Sequence, residues 1–188
     1  MVEERKLVLF IASTLDGYIA TKDHNLDWLF NVEGEGDNGI SEFYNTIDTI
    51  IMGRTTYDWI MAHEDIFPYK DKECYIFSRT PKEDTEYVSF VNKDVISLTK
   101  ELKSKGGKNI WIMGGSELVY NFIKEKLVDE IIVTIAPVLL GSGIPLFRQN
   151  NFQTLLRLNS TNRFNQFVEL RYEVIKWFKI NRPIALGG

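Results

Sequence analysis

Two junctions between a strand-like run and a helix-like run carry the residues best suited to hold a phosphate. At one of them, the apolar run 110–113 leads into Gly114, Gly115 and Ser116, and a helical pattern follows. Adjacent glycines let the backbone approach a ligand more closely than any side chain would permit. The first amides of the helix lack partners within it and lie at the positive end of its dipole, so they favour a phosphate.

The same arrangement occurs earlier in the chain. The run 49–52 leads into Gly53, Arg54 and Thr55, and a second helical pattern follows. Glycines after a strand are also common in ordinary turns, so one junction alone would be weak evidence for a ligand. Two of them on one chain indicate a dinucleotide whose diphosphate is held between them.

Patterns of apolar residues predict the elements that position these junctions. Strand-like runs alternate with helical ones at first, and two strand-like runs follow each other at the end. This order predicts an α/β fold whose mostly parallel sheet ends in an antiparallel hairpin. The apolar spacing over 96–102 adds a short helix that ends before Gly106. The predicted strands are 6–13, 48–52, 73–77, 109–113 and 130–136, and the predicted hairpin pairs 155–160 with 166–177 around 161–165.

The composition is that of one globular domain. The chain has 188 residues, of which 44% are hydrophobic and 13% aromatic, and its net charge is −4 with dispersed basic residues. No apolar run approaches the ~20 residues of a membrane span. We therefore expect a cytoplasmic protein with no membrane or nucleic-acid partner, one domain over 1–178 and a loose tail over 179–188. The single cysteine, Cys74, and the two histidines, His24 and His63, have no neighbours at ligand spacing, so we expect no metal site.

Four blocks of the sequence, in this order, are similar to the dihydrofolate reductase superfamily. The closer resemblance is to the reductase domain of bifunctional riboflavin-biosynthesis enzymes and its stand-alone relatives, and it covers about residues 6–178. The resemblance implies a dihydrofolate-reductase-like fold of three layers and an NADPH-dependent oxidoreductase. The four blocks are residues 12–20, 51–57, 112–116 and 128–141.

The resemblance also implies which residues bind NADPH. The two junctions would hold the diphosphate from opposite sides, and Ala12 and Ile19 would lie beside the nicotinamide. Ser78 and Arg79 fall where the family holds the 2′-phosphate of the adenosine, and an arginine offers that dianion a bidentate, permanently charged partner. The expected cofactor-binding residues are Ala12, Ile19, Gly53, Arg54, Thr55, Ser78, Arg79, Met113, Gly114, Gly115 and Ser116.

Three residues are candidates for the acceptor side of the site, where the reaction needs a proton from an acid or from water. By the same resemblance, Thr134 would face the substrate. Asp37 stands at the distance before Gly53 where folate reductases carry the acid that grips the pterin. Asp37 equally fits the start of a predicted helix over 40–47, and Glu42 within that helix is the competing acid.

Two further features near the expected substrate pocket have two interpretations each. Asp16, next to Gly17, either caps a tight turn or takes a polar role beside the active site. Trp28 and Phe30 either belong to the core or form a wall of the substrate pocket. Sequence alone leaves both choices open.

The substrate of the riboflavin enzymes carries a ribose phosphate, which they bind through basic residues ahead of the strand that matches 48–52. Here residues 7–53 contain no arginine and only Lys22 and His24 as cations, while the segment 33–39 is acidic. A phosphorylated substrate is electrostatically disfavoured beside that segment.

The expected reaction is hydride transfer from NADPH to a small-molecule substrate, a small nitrogen heterocycle. The best-defined precedent is reduction of 5-amino-6-(5-phosphoribosylamino)uracil in riboflavin biosynthesis. The alternatives are a genuine dihydrofolate reductase acting on a pterin and a nucleotide-binding module without chemistry. Aromatic residues near the C terminus fit either the sheet core or a homodimer interface. They are Phe164, Phe167, Tyr172, Trp177 and Phe178.

Overall fold

The structure, a computed structural model, describes residues 4–176 as strands and helices in the predicted order. The predicted tail over 179–188, and with it Trp177 and Phe178, lies outside the described residues. The strands are β1 (Leu7–Thr14), β2 (Tyr18–Ala20), β3 (Ile47–Gly53), β4 (Glu73–Phe77), β5 (Val88–Val91), β6 (Asn109–Gly114), β7 (Glu130–Ala136), β8 (Ile144–Pro145), β9 (Leu155–Phe164) and β10 (Phe167–Ile175). The helices are α1 (Asp27–Phe30), α2 (Ile40–Tyr44), α3 (Arg54–His63), α4 (Val95–Ser104) and α5 (Ser116–Lys124).

Eight strands form the central sheet, in the order β5-β4-β3-β6-β1-β7-β10-β9, and β2 pairs with β8 beside it. The strands from β5 to β7 run parallel to one another. β10 runs antiparallel to both β7 and β9. This confirms the predicted sheet, which is mostly parallel and ends in an antiparallel hairpin.

Helices cover both faces of the sheet and so produce the predicted three layers. On one face, α4 and α5 contribute Leu98 and Phe122 to an apolar cluster that includes Leu9 of β1. On the other face, α2 and α3 contribute Phe43 and Ile60 to a second cluster. Strands covered on both faces need nearly continuous apolar sequence, which is why the central strands could be predicted. Within residues 4–176, no helix is long and apolar enough to cross a bilayer.

Two predicted boundaries were wrong. The hairpin is tighter than expected, because β9 and β10 are joined by Asn165 and Gln166 alone. Asn165 has a φ of 54°, which asparagine tolerates in a short turn. The helix predicted over 40–47 ends early, because Ile47 is fully buried and pairs with β6 as the first residue of β3. The elements α1, β2, β5 and β8 were not predicted, since each is too short to show a period.

Asp129 ties the start of β1 to two lysines at the amino edge of the sheet. Its carboxylate accepts the backbone N–H of Leu7 at 2.7 Å and the Lys103 ammonium at 2.6 Å, and it also pairs with Lys176. Burial by itself raises the pKa of this carboxyl, but the three donors outweigh burial and hold the pKa below its ordinary value of 3.8. Such a carboxyl stabilises the fold above about pH 4 and loses that contribution as the pH falls through its folded pKa.

Asp129→Asn should lower the free energy of unfolding by about 1–3 kcal/mol at neutral pH, because it leaves two lysines without their counter-charge. The difference from the wild type should shrink as the pH falls through the folded pKa of Asp129. Urea unfolding at neutral and acid pH measures both effects. Glu130→Gln is the matched control, because its partner Lys6 is exposed and 3.5 Å away, and it should change stability little. A loss that is the same at every pH would contradict this account of Asp129.

Candidate cofactor-binding and active site

The two predicted phosphate junctions lie side by side at the carboxyl edge of the parallel strands. β3 ends at Gly53 and β6 ends at Gly114, and these strands are neighbours in the sheet, with Met52 opposite Gly114. From this point the chain leaves in two directions, because α3 leads to β4 on one side and α5 leads to β7 on the other. Open α/β sheets bind their ligands in the crevice that such a switch point creates.

Neither helix start has a side-chain cap. The residues that precede α3 and α5 are Gly53 and Gly115, which have no side chain to accept from the first-turn N–H groups. The hydroxyl of Ser116, at the start of α5, is buried and has no hydrogen-bond partner within residues 4–176. A set of unpaired donors at two neighbouring helix starts fits an anion such as a diphosphate.

The two loops also approach each other closely. A β-carbon added at Gly53 would lie 3.5 Å from the backbone nitrogen of Gly115, and one added at Gly115 would lie 3.7 Å from Oγ1 of Thr56. Gly114 has a φ of 131°, which L side chains rarely adopt, and the Gly114–Gly115 peptide bond is cis. One bridging anion can therefore contact both helix starts, as the predicted diphosphate cradle requires.

A cleft of about 1080 Å³ opens at this edge of the sheet, and every residue expected to bind the cofactor lines it. Pockets for drug-sized ligands measure roughly 300–1,000 Å³, so this cleft is large enough for a dinucleotide. The strand order places Ser78 and Arg79, which follow β4, on one side of the two junctions. Ala12 of β1 lies on the other side. The order therefore fits an adenosine end beside Arg79 and a nicotinamide end beside Ala12.

Three polar residues that are expected to contact the adenosine and the phosphates already have partners within the protein. The Arg79 side chain is 86% exposed and pairs with Glu117 in the first turn of α5. Arg54 pairs with Asp58 through Nε at 2.7 Å, so its terminal amino groups can still donate to an anion. The Ser78 hydroxyl donates to a backbone carbonyl two residues on, at 2.6 Å.

The cleft also has aromatic and apolar walls that were not identified from the sequence. Trp59 and Ile60 line it from α3, where they follow Thr56 at helical spacing. This spacing places both residues on the same face of α3 as Thr56, so it could have identified them as lining residues from the sequence. Tyr69 comes from a loop and Leu29 from a helix of four residues, where no local pattern marks a lining residue. Burial raises the pKa of Tyr69 above its ordinary value.

The two acids expected on the acceptor side do not reach the cleft. Asp37 is exposed and accepts the N–H groups of Gly39 at 3.1 Å and Ser41 at 2.8 Å, at the start of α2. Hydrogen bonds from the Ser41 side chain and backbone hold the pKa of Asp37 below its ordinary value, which makes it a poor proton donor at neutral pH. Glu42 is exposed on α2 and does not line the cleft. The part of Asp37 in proton transfer stays a prediction that the geometry does not support.

The structure favours the structural interpretation of Asp16. Its carboxylate accepts the Thr14 hydroxyl at 2.6 Å and the N–H groups of Leu140 and Gly141 at 3.1 and 2.7 Å. The Thr14 hydroxyl is the largest of the influences that lower the pKa of Asp16. Asp16 therefore fastens the loop after β7 to the turn after β1, rather than lining the cleft.

Of the remaining pocket candidates, Trp28 lies in the core, where it packs with Ala136 and Phe167. Phe30 is 70% exposed and belongs to neither the core nor the cleft wall. Thr134 is 8% exposed on β7, directly beside Ala12 of β1. Across residues 4–176, no group of three or more His, Cys, Asp or Glu side chains is arranged to hold a metal ion.

Comparison with known proteins finds a family model, the RibD C-terminal domain, that matches residues 5–170. The uncharacterized protein YwjB of Bacillus subtilis (strain 168) is 51% identical over 170 residues, which are 90% of this chain and 98% of that protein. The crystal structure of a putative riboflavin biosynthesis protein from Shewanella sp. PV-4 is similar with a TM-score of 0.84 and 30% identity. That match covers 91% of this chain and 99% of the other.

Two more distant matches are reductases of named substrates. The 2,5-diamino-6-ribosylamino-4(3H)-pyrimidinone 5′-phosphate reductase of Aquifex aeolicus (strain VF5) is 27% identical over 116 residues, 55% of this chain and 52% of that protein. The dihydrofolate reductase of Enterococcus faecalis, complexed with NADP(H), has a TM-score of 0.61 at 17% identity, over 91% of this chain and 97% of that one. The second likeness concerns the fold alone, and it confirms the expected dihydrofolate-reductase-like architecture.

Proposed function

We propose that this chain, which belongs to the RibD C-terminal domain family, is an NADPH-dependent reductase that transfers a hydride to a small nitrogen heterocycle. The observation that carries the proposal is the pair of uncapped helix starts at the ends of β3 and β6. They converge on one crevice, and the buried, unpartnered hydroxyl of Ser116 adds a further donor there. Such a donor set fits the diphosphate of a dinucleotide.

NADPH rather than NADH is supported by Arg79, which lines the cleft beyond the phosphate cradle. The NADP(H) complex of the Enterococcus faecalis enzyme, which shares the fold, supports the same choice. When bound, the cofactor supplies a hydride from its nicotinamide ring. This chain's part is to hold that ring beside Ala12 and Ile19 and to exclude water with the apolar walls formed by Trp59 and Leu29.

A pyrimidine-type acceptor is supported by the Aquifex aeolicus relative, which is a reductase of a ribosylaminopyrimidinone 5′-phosphate. The ribose phosphate is a separate question, because it needs a cation. Arg54, Arg79 and Lys93 line the cleft, but the first two are assigned here to the phosphates of the cofactor, and Lys93 is paired with Glu101. Arg148, in the loop after β8, is the candidate that remains among the lining arginines and lysines within residues 4–176.

The direct test is NADPH oxidation, followed by the absorbance of the reduced nicotinamide. The assay uses 5-amino-6-(5-phosphoribosylamino)uracil, its dephosphorylated form and dihydrofolate as acceptors. We expect oxidation with the pyrimidines. Oxidation with dihydrofolate alone would point to a folate reductase. NADPH binding without oxidation by any acceptor would point to a nucleotide-binding module, and either result would contradict the proposal.

The same assay tests how much the phosphate of the substrate contributes to kcat/KM. Because only one exposed arginine is available for it, removing the phosphate should lower kcat/KM by no more than about tenfold. Arg148→Ala should abolish this small preference and leave turnover of the dephosphorylated substrate unchanged. A loss of about a hundredfold or more on dephosphorylation would show that a stronger phosphate site exists.

A further inference from the structure

The cleft extends over both faces of the sheet at its carboxyl edge. On the face covered by α4 and α5, Phe77 and Leu118 line it and belong to the packing of the apolar cluster there. On the face covered by α2 and α3, Trp59 and Ile60 line it and belong to the packing of the second cluster. The cleft therefore has two compartments, one on each face of the sheet.

The proposed placement of the cofactor fills only one of these compartments. Its adenosine end lies on the α5 side, because Arg79 pairs with Glu117 in the first turn of α5. Its nicotinamide end lies beside Ala12, which stands two residues after Phe10 on β1, and Phe10 belongs to the cluster under α2 and α3. Residues two apart on a strand share a face. An acceptor that contacts the nicotinamide therefore fits the compartment on the α3 side.

The lining side chains of this second compartment, called the α3 compartment below, carry no charge. Within residues 4–176, the carboxylates that line the cleft are those of Asp94, Glu117 and Glu125, which lie on or next to α4 and α5. A charged ligand would have no counter-charge in the α3 compartment, so a neutral one is favoured. The lining residues of the compartment are Ala12, Trp59, Ile60, Tyr69 and Met113.

Tyr69 is held in a fixed orientation by its aromatic neighbours. Its ring centroid lies 5.6 Å from that of Phe67 and 5.8 Å from that of Trp111, in edge-to-face arrangements. Pairs of aromatic rings at these distances attract each other. The backbone carbonyl of Tyr69 accepts the N–H of Lys72 in the turn before β4, which fixes the chain as well. The side chain is thus positioned before any ligand binds.

The hydroxyl of Tyr69 is available to a ligand. It makes no hydrogen bond with another group of residues 4–176, and it is not sealed off from solvent. Burial raises the pKa of this phenol above its ordinary value of 10.0, so the hydroxyl stays protonated at neutral pH. The neighbouring Tyr44 differs, because its hydroxyl donates to Asp71. A protonated phenol that lines a cleft can donate to a carbonyl oxygen of the ligand.

Trp59 forms an aromatic wall of the same compartment. One face of its indole stacks on His63, with ring centroids 4.1 Å apart and an angle of 22° between the planes. His63 does not line the cleft, whereas Trp59 does, so the indole presents another side to the ligand. Aromatic rings pack well against planar rings in offset stacking. A neutral planar ring that carries a carbonyl group, such as a pyrimidinone, meets all these requirements.

We propose that the α3 compartment binds the acceptor as a neutral planar ring, which packs against Trp59 and accepts a hydrogen bond from the hydroxyl of Tyr69 at a carbonyl oxygen. This inference rests on the proposed function and assigns two recognition residues to its acceptor. It places recognition in α3 and in the loop before β4, rather than in the acidic segment 33–39. No carboxylate takes part in it.

The test uses Tyr69→Phe, which keeps the packed ring and removes only the hydroxyl. The probe is the dephosphorylated form of 5-amino-6-(5-phosphoribosylamino)uracil, and its binding is measured by calorimetry on protein saturated with NADP⁺, which has no hydride to transfer. Tyr69→Phe should bind the probe about threefold to tenfold more weakly than the wild type. With NADPH, its kcat/KM for the same compound should fall by at least that factor. Its affinity for NADPH should be unchanged.

Tyr44→Phe is the matched control, because it removes a hydroxyl from the same aromatic cluster at a residue that does not line the cleft. It should bind the probe like the wild type. Trp59→Leu keeps an apolar wall and removes the aromatic surface, so it should bind the probe about tenfold more weakly. His63→Ala removes the ring that stacks on Trp59 outside the cleft and should change binding of the probe little.

Three results would overturn the assignment of Tyr69: unchanged binding of the probe in Tyr69→Phe, an equal loss in Tyr44→Phe, or an equal loss of affinity for NADPH. If the wild type oxidises NADPH with the pyrimidine and any of these results is found, the proposed function stands and this inference fails. If the wild type oxidises NADPH with dihydrofolate alone, the proposed function fails, and the same variants are compared with dihydrofolate, whose pterin also carries a ring carbonyl. If the wild type binds neither acceptor, both fail.

Discussion

Gly114→Val should abolish binding of NADPH. The φ of Gly114 is 131°, a conformation that a β-branched residue adopts only with strain, so the loop must move. The new side chain also stands where the backbone must come close to the diphosphate. Together these effects should lower the affinity for NADPH by more than about a hundredfold, which corresponds to roughly 3 kcal/mol of binding free energy. Quenching of protein fluorescence by NADPH measures the affinity.

Two companion variants separate the loss of the site from the loss of the fold. Gly115→Ala should fold normally, because the added β-carbon makes only an ordinary contact with Thr56 at 3.7 Å. Gly115→Ala should still lower the affinity for NADPH, since the added methyl group narrows the space between the two helix starts. Gly106→Val is the control, because nothing lies within 4 Å of its β-carbon position, and it should bind NADPH normally. Normal NADPH affinity in Gly114→Val would contradict the phosphate cradle.

Arg79→Ala should weaken the binding of NADPH by about 1–3 kcal/mol and leave the binding of NADH nearly unchanged. Arg79 now pairs with Glu117, and an exposed ion pair of this kind contributes little to stability. A phosphate dianion is a stronger partner than a single carboxylate, so the arginine can turn to it when NADPH binds. The ratio of the two cofactor affinities is the measurement.

Glu117→Gln tests the same assignment from the other side. Removing the carboxylate leaves Arg79 available to the 2′-phosphate and takes away a like charge, so NADPH should bind more tightly while NADH changes little. Arg157→Ala is the control for loss of an exposed arginine, because Arg157 pairs with Glu173 on β10. Equal losses for NADPH and NADH in Arg79→Ala would remove this arginine from the 2′-phosphate.

The two strand-to-helix junctions of the candidate cofactor site could be predicted because their signals are local. The strand, the glycines and the start of the helix follow one another within about ten residues at Gly53 and again at Gly114. Strands covered on both faces are continuously apolar, so their positions could be predicted to within a residue or two. Their parallel arrangement could be predicted because helix-like runs separate successive strands in the sequence.

The surroundings of Thr134, the residue expected to face the substrate, depend on contacts between distant parts of the chain, which no local pattern records. Glu169 lies on β10 and meets Thr134 only through the pairing of β10 with β7. From sequence, a glutamate on an antiparallel strand indicates a solvent-facing position, whereas this one is fully buried. Asp37 was the opposite case, since its place in a loop fitted both an active-site acid and a helix start. The structure places it at the start of α2.

The most direct measurement of the central claim is a crystal structure of the protein with NADP⁺ bound. We expect the diphosphate between the first turns of α3 and α5, in contact with the backbone nitrogens of Thr55 and Gly115 and the hydroxyl of Ser116. The nicotinamide should lie beside Ala12, and the 2′-phosphate beside Arg79. A nucleotide bound elsewhere, with both helix starts free of phosphate, would contradict the account.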